Sequence, residues 1–496
     1  MIMRAVITPH RFAGTFRVPA SKSHSIRRLL IAALADGVSE IEYPLDSLDA
    51  RSCVRVCRAL GAEITEHRAV DAQCANPANE RGEKLVRYTV RGIGFGSDAG
   101  GKNLKAPVLP LDVGNSGTTL FLALAVAALG SAPIGFDGDE QIRRRSAAPL
   151  LEALAGLGIR AESKNNNGCA PFVIRGPWKG GRVSLACPTS QYLSALLLAA
   201  PLAPAGVITE IDVPLLNERP YIEMTLSYLD AQGIRYETDS GFSWFRIPGG
   251  GSYKSMRSYG SLSNKKDLMG AIVPHVMSGP VPGDFSSAAF PGAAAAISGG
   301  PVTLLGLDPG DPQGDKAIFG MLEKMGAGVK WEKIGNASAK DAVSDESAGF
   351  AGTEWKLTVS RSGPLKGGEF DLNDTPDLLP IMAVLGCYAA GTTALVNVAH
   401  ARIKETDRIA VMASVLGKLG ADVEERPDGI IIHGNSNTAP LHSGTVDGHG
   451  DHRVVMALAA AALGAAGPVE ITGAESAAVT YPGFLELLDG EMSIPG

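Results

Sequence analysis

Four cationic positions stand where a helix is about to begin, at the end where the backbone is already positive. Lys22 and Arg27 go with the polar opening Ser21-Lys22-Ser23, Arg453 follows Asp451-His452, and the run Lys404-Glu405-Thr406-Asp407-Arg408 begins another helical stretch. A helix start that needed only a cap would be served by Ser, Thr or Asp. Lys or Arg there opposes the macrodipole, at ~0.3–1 kcal/mol each. One such cation alone reads equally well as solvated surface; four at equivalent places point to bound anions. Arg143-Arg144-Arg145, after Gly138-Asp139 and before an apolar run at 149–157, is a weaker signal, because a basic triplet by itself is usually a solvated face. Two carboxylates accompany these cations. Asp377 opens an apolar helix, where capping alone would account for it. Glu405 beside Lys404 forms a carboxylate–ammonium pair able to move a proton, although such neighbours are common on exposed helices.

The elements that position these residues repeat. A short polar loop, a helix of Ala, Leu and Val, then Gly or Pro and a strand recur at Ser21-Lys22-Ser23, Asn115-Ser116-Gly117, Thr189-Ser190-Gln191, Asp284-Phe285-Ser286, Asp377-Leu378 and Asp451-His452-Arg453. Between Lys22, Asn115, Ser190, Ser286, Asp377 and His452 the intervals are about 93, 75, 96, 91 and 75 residues by subtraction. A second marker, a helix ending in Gly before a strand, falls at Gly61, Gly158, Gly233, Gly326 and Gly420, where the left-handed cap of a helix favours Gly. The pattern predicts an α/β protein of two similar domains with three repeats each. In each repeat the first helix is apolar nearly all round and should be buried, while those at 49–60 and 407–419 carry a charged face and should lie outside. Three buried helices side by side would bring their polar N-terminal loops together at one end of each domain. Free N–H groups and helix dipoles there suit anions, and two such ends facing one another would make an interdomain cleft.

Composition narrows the class. The chain has 496 residues, 45% of them apolar, enough for two or three cored domains. Its longest apolar runs, such as those at 120–129 and 193–202, are far shorter than the ~20 residues of a spanning helix. A net charge of -7 argues against a general nucleic-acid binder, but converging cations can still dominate one cleft. Met1-Ile2-Met3-Arg4 does not resemble a secretory signal. The six cysteines form no CxxC pair or His/Cys cluster, so reduced thiols in a cytoplasmic protein, with no metal, are expected. Residues 72–110, 249–283 and 338–352 read as insertions, and the middle one, between the two halves, as a hinge. Gly94, Gly96 and Ala99 mimic a dinucleotide fingerprint, but Gly100, Gly101 and Pro107 fall where its helix must begin.

Taken together, Ser21-Lys22-Ser23 with Arg27, Gly114-Asn115-Ser116-Gly117-Thr118, Ser190-Gln191, Pro220-Tyr221, Arg402-Ile403-Lys404-Glu405-Thr406-Asp407-Arg408 and Asp451-His452-Arg453 resemble, in order, the signature segments of the 5-enolpyruvylshikimate-3-phosphate synthases. The resemblance runs from residue 19 to 484. It implies an inverse α/β barrel of the enolpyruvyl transferase type, two domains of three βαβαββ units around buried parallel helices, closing on two anionic ligands without metal or organic cofactor. Residues 1–20 and 282–496 would form one domain, with 21–281 inserted as the other. The implied activity is transfer of a carboxyvinyl group from phosphoenolpyruvate to shikimate 3-phosphate, in aromatic amino-acid biosynthesis, by a cytoplasmic monomer that glyphosate inhibits. By motif, shikimate 3-phosphate would meet Lys22, Ser23, Arg27, Thr189, Ser190, Gln191, Tyr221, Asp377 and Lys404. Phosphoenolpyruvate would meet Lys22, Asn115, Gly117, Arg145, Gln191, Arg408 and Arg453. Asp377, Lys404, Glu405 and Lys22 would carry the chemistry. Small molecules would be its only partners, neither nucleic acid nor membrane.

The resemblance has departures. Glu218 stands where many relatives place a phosphate-binding Ser, His400 where many have Asn, and Val479 where some have a Lys for phosphoenolpyruvate. Ser146 replaces a usual Pro, which leaves Arg144 as an alternative to Arg145. A related transferase family acts on UDP-N-acetylglucosamine, but it places Asn-Ala after its N-terminal Lys and uses a loop Cys. Here Ser23 and Arg27 follow Lys22, and residues 138–145 hold no Cys. A non-catalytic relative with the same fold is the other alternative; Glu218 and Val479 favour it, and intact Asp377, Lys404, Glu405 and Arg408 oppose it.

Overall fold

A computed structural model describes residues 3–70, 83–95, 103–256, 279–334, 354–434 and 441–488. Gly96, Ala99, Gly100 and Gly101 of the dinucleotide-like stretch, most of the 249–283 hinge candidate and all of 338–352 lie outside the described residues, as do parts of 72–110. The described residues of Ser21–Gln73 and Arg81–Val281 form one compact unit, and those of Met1–Ala20 and Pro282–Gly496 the other.

The first of these units carries helices α1 (Lys22–Leu34), α2 (Leu48–Ala59), α3 (Gly117–Ala127), α4 (Ala148–Gly156), α5 (Ser190–Ala199) and α6 (Arg219–Gln232). Three small sheets surround them. In one, Leu111–Asp112 lies parallel to Ile134–Asp137, which pairs antiparallel with Phe172–Arg175, itself antiparallel to Arg160–Ser163. A second repeats that order with Gly181–Ser184, Ile208–Asp212, Trp244–Pro248 and Glu237–Thr238. The third joins Val38–Glu42, Glu83–Arg91 and Glu63–Val70. Each full repeat thus reads βαβαββ. The right-handed crossover needed between parallel strands is supplied by a helix, and the closing pair needs only a turn.

The other unit repeats the plan with α7 (Phe285–Ser298), α8 (Ala317–Lys324), α9 (Leu379–Cys387), α10 (Arg408–Lys418) and α11 (His452–Ala462). Its sheets order Gly14–Arg17, Val302–Leu305, Glu354–Ser360 and Gly328–Ile334; then Leu365–Lys366, Ala389–Val396, Gly429–Gly434 and Asp422–Arg426; then Gly444–Asp447, Val469–Thr472 and Arg4–Ile7. The N-terminal strands therefore complete sheets whose other members lie beyond residue 300. Among the described residues no sheet closes into a barrel, and no helix is long and apolar enough to cross a membrane.

In each unit the apolar helices are the buried ones, as the pattern predicts. α3 and α9 are buried at every position, and α7, α9 and α11 pack on one another in a single core. α2 and α10 keep a charged outer face, for example Arg51, Arg55, Arg58 and Lys418. The five marker glycines all adopt positive φ, from 69° to 120°.

The helix openings follow the polar loops, with two differences. Ser21, Ser116, Thr189, Asp284 and Asp451 each cap a buried helix with the side chain. Asp377 does not. It lies in a short 3-10 turn, Pro376–Leu378, ahead of α9, where Pro380 lacks an N–H and lessens the need for a cap. The Lys404-to-Arg408 run does not open its helix either: α10 begins at Arg408 with Asp407 as cap, because the Asp407 carboxylate accepts from the Ala410 amide at 3.0 Å. Lys404, Glu405 and Thr406 occupy the turn before it.

Candidate active site

In the unit built on α7–α11, Arg408 is the centre of a charge cluster. Its guanidinium is fully buried and donates to three carboxylates: Nη1 to Asp377 Oδ1 at 2.6 Å, Nη2 to Glu405 Oε2 at 2.6 Å, and Nε to Asp451 Oδ2 at 2.8 Å. Nη2 also reaches Asp451 Oδ1 at 3.2 Å. Arg453 Nη2 donates to Asp377 Oδ2 at 2.7 Å, so each oxygen of Asp377 holds a different arginine. The planar fork of arginine explains the choice over lysine, since an ammonium has three hydrogens and these carboxylates take four bonds. Asp451 has two tasks, capping α11 through the Arg453 amide at 2.9 Å while it anchors Arg408. Thr406 Oγ1 adds a donor to Asp451 at 3.1 Å.

Burial alone would raise the Asp377 carboxyl, but Arg453, Lys404 and Arg408 outweigh it and hold it well below the usual carboxylate range. Burial likewise opposes the Arg408 cation, yet Asp451, Glu405 and Asp377 push its pKa well above the ordinary value. The Asp377 side chain keeps 22% exposure and that of Glu405 13%, so neither is fully closed off from solvent. Asp315 behaves oppositely. Burial, then the charge of Asp377, pushes its carboxyl up to about 7 despite Arg453 and a very short hydrogen bond from Ser286 Oγ.

In the unit built on α1–α6 the expected residues sit in the first two turns of helices or in the loops before them. Lys22, at the start of α1, pairs with Asp49 Oδ2 at 3.2 Å, and Ser23 follows half-buried. One turn on, Arg27 is buried and its hydrogen bonds go to neutral oxygens: Thr225 Oγ1 at 3.0 Å, Ser23 O at 3.2 Å, Ser194 Oγ at 3.3 Å and Tyr221 O at 3.3 Å. Burial pulls its pKa down to about 10, still cationic at neutral pH. Thr189 caps α5, and Ser190 and Gln191 form its first turn. Gln191 Oε1 is buried without a hydrogen-bond partner among the described residues.

Asn115 precedes the Ser116 cap of α3 and donates to Asp139 Oδ2 and Gln141 Oε1, both at 2.6 Å. Arg145 Nη2 donates to Asn115 Oδ1 at 3.3 Å. A β-carbon on Gly117 would lie 2.5 Å from Arg145 Nη1, so the absent side chain is what lets that guanidinium lie against the helix start. Arg144 instead pairs with Glu140 on the surface, both side chains more than three-quarters exposed, and Arg143 pairs with Asp137. The basic triplet thus divides, with Arg145 alone turned to the Asn115 loop.

Several partners of these residues carry no signal in the sequence. Asp49, Thr225 and Ser194 hold Lys22 and Arg27, and Asp315 lies in the electrostatic field of Asp377. Asp49 reads in sequence as an ordinary acidic residue of a first turn; nothing local shows that it faces Lys22. Of the departures, Glu218 is buried against Thr189 and Ser190, His400 Nε2 lies 3.0 Å from Asn373 O, and Val479 ends a 3-10 turn half-buried.

A cluster of two arginines and three acids within reach of a lysine offers anion binding and proton transfer in one place. Comparison with known proteins agrees in kind. The family model described as EPSP synthase (3-phosphoshikimate 1-carboxyvinyltransferase) matches residues 6–92, 95–261 and 267–488. The chain is 43% identical over 476 residues to a 3-phosphoshikimate 1-carboxyvinyltransferase of Acetivibrio thermocellus, covering 96% of this chain and 95% of that protein. It is 40% identical over 496 residues to one of Halobacterium salinarum, covering 98% of each. A solved structure of EPSP synthase from Acinetobacter baumannii superposes with a TM-score of 0.72 at 26% identity, covering 100% of this chain and 99% of that one.

Proposed function

The chain belongs to the EPSP synthase family, and we propose that it transfers the carboxyvinyl group of phosphoenolpyruvate to the 5-hydroxyl of shikimate 3-phosphate, releasing phosphate. The observation that carries this reading is the Arg408 cluster, which holds Asp377, Glu405 and Asp451 on one guanidinium beside Arg453. Both substrates are small anions, and the rest of the reading assigns them to named groups. Lys22, Ser23, Arg27, Thr189, Ser190, Gln191, Tyr221, Asp377 and Lys404 take shikimate 3-phosphate. Lys22, Asn115, Gly117, Arg145, Gln191, Arg408 and Arg453 take phosphoenolpyruvate. Arg27 suits its role because it is a buried cation whose hydrogen bonds among the described residues go to neutral oxygens.

In the forward reaction the 5-oxygen bonds to C2 of phosphoenolpyruvate and its proton passes to Asp377, or to Lys404 once that lysine has given up its own proton, while Glu405 in its protonated form gives a proton to C3. The adduct then returns the C3 proton to Glu405 as the C2–O bond to phosphate breaks. Cations at the carboxylate and phosphate stabilise the leaving group. The depressed pKa of Asp377 fits this order of events. An anion that draws on Arg408 and Arg453 weakens their hold on Asp377 and makes it a better base, so proton acceptance would follow donor binding.

The reading extends to a cytoplasmic monomer that acts on neither nucleic acid nor membrane; the net charge of -7 supports the nucleic-acid part. Phosphate release from phosphoenolpyruvate, with and without shikimate 3-phosphate, tests the activity. Release that depends on shikimate 3-phosphate is expected. Release that depends instead on UDP-N-acetylglucosamine, or no release with either acceptor, would overturn it.

A further inference from the structure

Glu218 is assigned to neither substrate, yet it sits on two residues that are. It is 3% exposed and has a left-handed backbone, φ 58° and ψ 41°, immediately before α6. That region is uncommon for a residue with a β-carbon and persists where the surroundings enforce it. The surroundings here are hydrogen bonds to its carboxylate. Oε2 accepts from Ser190 Oγ at 2.7 Å, from the Ser190 amide at 3.0 Å and from Thr189 Oγ1 at 3.2 Å. The Ser190 amide belongs to the first turn of α5, where free N–H groups and the helix dipole favour negative charge. Arg27 also feels the Glu218 charge. The donors therefore already hold an anion, and it is the protein's own.

Each of those donors has one hydrogen to give. A phosphate arriving at Thr189 and Ser190 can use them only if the carboxylate leaves; if it stays, the phosphate forgoes these bonds and meets a like charge as well. From this geometry we infer that Glu218 is a specificity-determining residue that competes with the 3-phosphate of the acceptor for Thr189 and Ser190 and so sets the affinity for it. The inference rests on the proposed assignment of Thr189 and Ser190 to shikimate 3-phosphate. It adds that the acceptor site is occupied from within until substrate displaces Glu218. A neutral, shorter side chain at that position frees the donors, and the gain is confined to ligands that carry the phosphate.

The test is calorimetric titration of the full chain with shikimate 3-phosphate and with unphosphorylated shikimate, for wild type, Glu218→Ser and Glu218→Gln, alongside steady-state turnover. Glu218→Ser should bind shikimate 3-phosphate at least about tenfold more tightly and lower its KM in parallel, with shikimate affinity changed less than about twofold. Glu218→Gln, which keeps the shape but not the charge, should move the same way by a smaller factor. It carries the test should circular dichroism show Glu218→Ser misfolded. Unchanged or weaker binding of shikimate 3-phosphate in the folded variants would overturn the inference and make Glu218 a scaffold for Ser190. Equal tightening of shikimate would overturn it too, because the effect would not involve the phosphate. If wild type shows phosphate release that depends on shikimate 3-phosphate while the variants fail, only this inference falls. If wild type neither turns over nor binds shikimate 3-phosphate, the functional reading falls and the inference with it.

Discussion

Replacing Arg408 with Met would leave Asp377, Glu405 and Asp451 around an apolar side chain that stops near the Nε position and cannot donate. The guanidinium is fully buried and makes four charge-assisted hydrogen bonds to the three carboxylates. Removing one partner of a buried pair costs ~3–5 kcal/mol, mainly because the charges left behind are uncompensated. For a unit of this size, ~2–4 °C per kcal/mol gives a loss of ~10 °C in its melting temperature. The pH dependence separates this cause from simple loss of packing. In wild type, Asp377 and Asp451 have folded pKa values below the unfolded one. They contribute stability above pH ~4 that is lost only as pH falls through the depressed folded values, so the contribution is complete at both pH 5 and pH 8. In Arg408→Met the same carboxyls, without their cation, move upward. A raised carboxyl loses stability as pH rises from ~4. Differential scanning calorimetry should therefore show a larger deficit at pH 8 than at pH 5. A variant melting within about 3 °C of wild type, or an equal deficit at the two pH values, would refute the electrostatic account.

Further outcomes follow from the same geometry. Glu405→Gln keeps an oxygen for Arg408 but cannot pass a proton, so turnover should fall by ~10²-fold or more with shikimate 3-phosphate affinity little changed; calorimetry and steady-state rates measure the two. Asp315→Asn should stabilise the protein more at pH 8 than at pH 5. The folded carboxyl titrates at about 7, so wild type loses stability as pH rises from ~4 through that value, by up to about 4 kcal/mol; urea unfolding at the two pH values decides it. Gly117→Ala places a methyl 2.5 Å from Arg145 Nη1, which must shift. Wild type should be inhibited by glyphosate. Because glyphosate is longer than phosphoenolpyruvate, the variant should weaken inhibition at least about tenfold more than it raises the phosphoenolpyruvate KM. Equal weakening of the two, read from inhibition constants, would contradict the steric argument.

Patterns with a short physical range were legible in the sequence. Apolar helices of Ala, Leu and Val had to be buried because no polar face was available to meet water, and the glycines that close the other helices, Gly61, Gly158, Gly233, Gly326 and Gly420, adopt positive φ because chain reversal at a helix end needs it. The spacing of the polar openings revealed the repeat, since each opening serves the helix that follows it. The family motifs carried the fold class and the reaction. Where two local causes predicted the same residue, sequence could not choose. Asp377 read as a cap or as a catalytic carboxylate, and only the structure shows that its two oxygens hold Arg408 and Arg453, 31 and 76 residues away. Arg144 and Arg145 were interchangeable until a turn sent one to Glu140 and the other to Asn115. Glu218 read as a charge out of place beside a phosphate, and the tertiary structure shows which donors hold it. Burial and pairing between distant elements decided all three, because a charge takes its chemistry from the groups that surround it in space, and a linear pattern does not contain those distances.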